Sequence, residues 1–125
     1  MTDFVAASDR LIAAYNAKDF KTFRNAIAPN IDMAHFNRNF VTNRADELMQ
    51  AIEAFAGSLM PDRRFEKPER VTAVGKIVVR EGYWGGTATV DIPGFGQQGE
   101  KVRLKLCSVM RFDDNGILVE WKDHG

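Results

Sequence analysis

The sequence predicts an α+β fold: three N-terminal helices packed on a curved, mostly antiparallel sheet, forming one cone-shaped domain around a small pocket. Three observations predict it. Apolar residues keep a helical spacing up to Pro61, an extended alternation replaces it beyond, and Gly85–Gly86 falls within the extended half where a sheet can bend. A chain of 125 residues that is 45% apolar suits a single domain over 1–125, because domains commonly run to about 100–150 residues.

The elements follow in order. Phe4, Leu11, Ile12 and Tyr15 recur at helical spacing and predict a first amphipathic helix. Asp19 is an N-cap for a second helix carrying Phe20, Phe23 and Ile27, which Pro29–Asn30 ends. Residues 31–36 read as a short strand and 37–43 as a loop. Leu48, Ile52, Phe55 and Leu59 then form the clearest helical stripe in the chain. From Phe65 to Val74 the pattern is a strand interrupted at Pro68, which cannot donate to a sheet ladder. Strands are expected over 77–84 and 87–92, separated by a bend at Gly85–Gly86, and a loop follows over PGFGQQGEK. Residues 102–112 and 117–123 form a final hairpin around the turn DDNG.

Composition narrows the partners. Lys+Arg and Asp+Glu number 17 each, so bulk attraction to nucleic acid or anionic lipid is not expected. One cysteine, Cys107, rules out an internal disulfide framework; two histidines without HxH or HExxH spacing give no metal motif, and no cofactor is called for. The start MTDFVAASDRLIAAYNAKDF does not resemble a signal peptide, and no run nears the roughly 20 apolar residues of a membrane span, so a cytoplasmic location is expected.

Three pieces of the last third carry a family likeness: Gly86–Thr87 at the expected bend, the loop of Ile92, Pro93, Gly96 and Gly99, and VMRFDDNGILVEW. On these, and on Ala17–Lys18–Asp19 at the helix junction, the chain resembles the nuclear transport factor 2-like (cystatin-like) superfamily. It is most similar to SnoaL-like polyketide cyclases and ketosteroid isomerases, with partial likeness to limonene-epoxide hydrolases. The resemblance implies a pocket for a small apolar organic molecule and a homodimer formed through the sheet, whose outer face would carry Val102, Cys107, Val109 and Val119. It implies isomerase- or cyclase-like proton transfer on a carbonyl compound. A non-catalytic ligand-binding or dimerisation domain and an epoxide hydrolase stay open as alternatives.

Candidate site residues follow from the same likeness. The isomerases' aspartate base corresponds to His35, which can take a proton near neutral pH or hydrogen-bond within the wall. Their oxyanion-binding aspartate corresponds to Ser108, a weaker donor; their tyrosine falls near Leu11, with Tyr15 a helical turn away. The epoxide hydrolases' W-R-D matches Trp121–Lys122–Asp123, and their arginine matches Arg80, but Gly82 stands where a second aspartate is implied. Asp123, His35 and Arg80 are therefore the catalytic candidates. Asp123 reads as a base, as a partner of Arg80 at the pocket rim, or as a solvated charge. Tyr83, Trp84, Ser108 and Trp121, with the apolar Phe55, Leu59, Leu104, Leu106 and Met110, are the substrate-binding candidates.

Overall fold

The computed structural model describes residues 2–125. The first helix, α1 (Phe4–Asn16), starts where the Asp3 carboxylate accepts from the Ala6 N–H at 3.0 Å. In the same way Asp19 caps α2 (Phe20–Asn25) by accepting from the Thr22 N–H at 3.2 Å. The chain then enters β1 (Ile27–His35), a 3₁₀ turn (Phe36–Arg38) and β2 (Phe40–Thr42). The third helix, α3 (Ala45–Ala54), buries Ala45, Leu48, Met49 and Ile52 on one stripe. It loosens into a π turn at Phe55–Leu59, closed by the Met60 N–H donating to the Phe55 carbonyl at 2.8 Å.

The extended half contains β3 (Arg64–Phe65), β4 (Arg70–Val74), β5 (Ile77–Thr87), β6 (Lys101–Phe112) and β7 (Leu118–His124). The strand expected over 65–74 is split into β3 and β4 around Pro68. Both pieces pair with one edge of β5, and Gly82 makes room, since a Cβ there would stand 3.1 Å from the Pro68 Cα. The β6–β7 turn forms as expected, with the Asp113 carboxylate accepting from the N–H groups of Asn115 (2.9 Å) and Ile117 (3.0 Å).

Several expectations need correction: the second helix stops at Asn25, so Ile27 and Pro29 belong to β1 and not to α2. The α+β class with three helices holds, but the cone-shaped, curved sheet does not: the sheet is mixed and open, in the order β2-β1-β7-β6-β5-β3, and it does not curl or close on itself. A bend is expected at Gly85–Gly86, yet β5 stays paired with β6 without a break from Ile77–Arg111 to Thr87–Lys101. Accordingly there is no separate strand over 87–92: Thr87 ends β5, and residues 88–92 form a loop with one isolated bridge, Ile92 to Gly96. The strand pairings are mostly antiparallel, as expected, and β1 runs parallel to β7.

The core lies between the helices and one sheet face. Phe23, Ile31, Met60, Val78, Met110 and Leu118 are fully enclosed there. Val102, expected on the outer face, is buried on this inner one. The outer face instead carries ion pairs such as Arg103–Glu66 and Lys105–Glu69. Among the described residues no helix is long and apolar enough to cross a membrane.

Candidate active site

Between α3 and the inner sheet face lies a cavity of about 210 Å³. Helix α3 and its π turn supply Leu48, Ala51, Ile52 and Phe55, while α1 supplies Tyr15. From the sheet come Met33 and His35 of β1, Trp84 of β5, Leu106 of β6, and Trp121 and Asp123 of β7. Phe40, Phe65, Arg38 and Phe95 complete the wall. The wall is aromatic and aliphatic with few polar groups.

Register decides which polar side chains meet. Arg80 pairs with Ser108, Ser108 with Asp123, and Asp123 with His35, so these four residues form one row across β5, β6, β7 and β1. A bulge at Val119 sets this row: Arg111 opposes Glu120 but Phe112 opposes Leu118. It turns Leu118, Trp121 and Asp123 all inward, whereas unbroken alternation would have put Val119 beside Trp121 and Asp123.

Asp123 is 3% exposed. Its Oδ1 accepts from the Ser108 hydroxyl and from the Trp121 indole N–H, both at 2.6 Å. No donor among the described residues bonds to Oδ2. Burial pushes the Asp123 carboxyl up to about 6, against the opposing effect of these two hydrogen bonds. His35, half-buried, has an enclosed Nδ1 without a partner among the described residues. Burial, helped by the charge of Arg38, pushes its imidazole down to about 4.

The remaining polar groups come from elsewhere. The Tyr15 hydroxyl accepts from the Trp84 indole N–H at 2.9 Å and donates to no atom of the described residues, so its proton is free for an acceptor in the cavity. Burial pushes this phenol up to about 12, partly offset by the charge of Arg63. Arg38 donates to the carbonyls of Gly94 (3.1 Å) and Gly125 (2.6 Å), and its guanidinium lies 5.4 Å from the centre of the Phe95 ring. It thereby holds the loop of Phe95 against the cavity.

The candidates thus divide. Asp123, His35, Trp84, Trp121, Phe55 and Leu106 line the cavity. Arg80 belongs to the row but turns away, donating to the Ser8 hydroxyl at 2.9 Å and to Asp9 at 2.5 Å. Ser108 reaches the cavity only through Asp123. Tyr83 faces the outer side under the Arg103 guanidinium, 3.6 Å from its ring centre. Leu59, Leu104 and Met110 pack into or against the core away from the cavity. Tyr15, Arg38 and Phe95 join the site without being among the residues expected there. Tyr15 carried a usable signal, its position one turn after Leu11 on the same helical face; Arg38 and Phe95 sit in segments read as loops. Among the described residues no three His, Cys, Asp or Glu side chains gather as a metal site would require.

The fold, an open α+β layer with a helix-covered cavity, is that of the nuclear transport factor 2-like class. Within it, the chain belongs to the family of the SnoaL-like domain, whose model matches residues 9–121. Solved structures agree on the fold. A protein from Xanthomonas campestris assigned as a polyketide cyclase is 14% identical with a TM-score of 0.81, over 98% of this chain and 89% of that one. An LEH-like epoxide hydrolase from M. tuberculosis is 19% identical with a TM-score of 0.75, over 96% and 80%. A protein of ketosteroid isomerase-like fold from Catenulispora acidiphila, in complex with trimethylamine, is 9% identical with a TM-score of 0.76, over 95% and 84%. No functionally curated protein matches the chain.

Proposed function

We propose that the protein is an enzyme which shifts a proton on a small, mostly apolar carbonyl compound, as an isomerase or cyclase would, with Asp123 as the base and Tyr15 as the donor to the carbonyl oxygen. One observation carries this reading: an enclosed carboxylate whose two hydrogen bonds both fall on Oδ1, leaving Oδ2 to the cavity. Pushed up to about 6, the group is ionised at neutral pH yet basic enough to take a proton. The apolar wall supports the reading by excluding water from the charge that develops.

In this reading His35, neutral at pH 7, orients the ligand by a hydrogen bond, and Ser108 holds the carboxylate. An epoxide hydrolase has less support, because Arg80 is engaged by Asp9 rather than Asp123. We keep the sheet-mediated homodimer, the single domain over 1–125 and the cytoplasmic setting within the proposal; a solution mass near 14.1 kDa would remove the dimer.

The test is turnover of a panel of apolar ketones and epoxides against pH, with and without Asp123→Asn. The native enzyme is expected to gain activity on ketones as pH rises through about 6, and the variant to lose at least about a hundredfold. Absent turnover on both classes favours a binding protein, turnover unchanged by the substitution removes Asp123 as the base, and loss confined to the epoxides favours the hydrolase.

A further inference from the structure

Arg63 is 2% exposed, and its Nε, Nη1 and Nη2 have no hydrogen-bond partner among the described residues. Enclosed arginines normally meet a carboxylate, because an unpaired charge in a low-dielectric interior is strongly disfavoured. Here the guanidinium lies instead over the Tyr15 ring, 4.0 Å from its centre. Arg63 is not part of the cavity wall, whereas Tyr15 is.

The surrounding chain fixes this placement. The Arg63 N–H donates to the Met60 carbonyl at 2.9 Å, and Asp62 accepts from the Thr87 N–H at 2.7 Å. On the other side of the pair, the Asn16 amide both donates to the Phe65 carbonyl (2.9 Å) and accepts from the Phe65 N–H (2.8 Å). The end of α1 that carries Tyr15 is thereby clamped to the segment that carries Arg63.

We propose that Arg63 is a positioning residue for Tyr15, its charge behind the phenol ring making that end of the cavity select ligands that carry, or develop, an oxyanion such as an enolate or phenolate. Cation and ring polarise each other, so negative charge arriving on or beside the Tyr15 oxygen is favoured without Arg63 touching the ligand. The ionisable groups of the cavity itself are Tyr15, His35, Arg38 and Asp123. Of these Asp123 opposes an anion and Arg38 favours one, so the effect of Arg63 has to be read by its own substitution. The inference extends the proton-transfer reading by naming the charge type of the bound species.

The probes are 4-nitrophenol, held at a pH where it is the yellow phenolate, and 4-nitrotoluene as its neutral counterpart. In Arg63→Met, affinity for the phenolate is expected to fall about tenfold while affinity for 4-nitrotoluene stays within about twofold. Arg63→Lys is expected to keep part of the selectivity and Tyr15→Phe to lose it. Equal weakening of both probes, or of neither, overturns the proposal. A second readout leaves Arg63 in place: its Nε–Hε NMR signal is expected to move on adding the phenolate and not on adding 4-nitrotoluene, and an unmoved signal also overturns it. Phenolate selectivity lost while turnover still depends on Asp123 removes only this inference; selectivity present without Asp123-dependent turnover removes only the enzymatic reading.

Discussion

His35 and Asp123 are register partners on the parallel β1–β7 pair, and both side chains line the same cavity. Burial disfavours charge on each, which moves the two in opposite directions: the carboxyl up to about 6, the imidazole down to about 4. Above about pH 6 the row therefore holds a carboxylate beside a neutral imidazole. Between about 4 and 6 it holds two neutral groups, and an imidazolium–carboxylate ion pair is not favoured at any pH.

The ionised Asp123 costs the folded state stability. An unfolded chain ionises this carboxyl above its ordinary 3.8, whereas the folded protein resists until about 6. Stability is thus unaffected below the lower value, falls between the two, and is reduced fully above the upper one, by about 2–3 kcal/mol. Asp123→Asn removes the penalty while an amide oxygen can still accept from Ser108 and Trp121. Urea unfolding near pH 8 is expected to show the variant more stable by about 2 kcal/mol, and near pH 3.5 to show no difference. A variant less stable at both pH values would mean that the carboxylate is held for structure.

His35 yields a second pH signature. An imidazole at about 4 against an ordinary 6.5 means that the unfolded chain takes the proton first as pH falls. The contribution of a neutral His35 to stability is complete above 6.5 and is lost as pH drops towards about 4. NMR of the imidazole carbon-bound protons is expected to show the His35 signal unchanged from pH 8 to about 5.5. A His35 midpoint near 6.5 would place the ring in water and remove it from the cavity wall.

Much of this site could be read from the residues, but only where local strand or helix periodicity decided. Trp121 and Asp123 are two apart in one strand, so a shared face followed from alternation. The presence of the cavity side chains Phe55 and Ile52 on one helical stripe followed equally from spacing. What alternation and spacing did not contain were the contacts that α1 and the loops make with the sheet. Arg80 sits in register with Ser108, yet its side chain meets Asp9 on α1, a contact no strand pattern contains. Tyr15 enters the site because α1 crosses near Trp84 and Arg63, and the angle of that crossing is a matter of tertiary packing. The Gly85–Gly86 pair misled for a related reason: the residues read as a bend serve close approach instead.

Gly86 makes that last point testable. An added Cβ would stand 2.7 Å from the Met60 Cγ, 2.8 Å from the Asp62 Oδ1 and 2.9 Å from the Arg63 Cα. The methionine end can swing aside, but the Arg63 Cα is backbone, held by the Arg63–Met60 and Thr87–Asp62 hydrogen bonds. Gly86→Ala therefore has to push the 60–63 segment off β5, and overpacking of this kind costs about 1–3 kcal/mol. Because that segment carries Arg63, the same push withdraws the guanidinium from the Tyr15 ring. The variant is expected to melt several degrees lower, and its phenolate selectivity is expected to fall with that of Arg63→Met. A melting temperature and a selectivity both equal to the native protein's would show that Gly86 is not the seat of this loop.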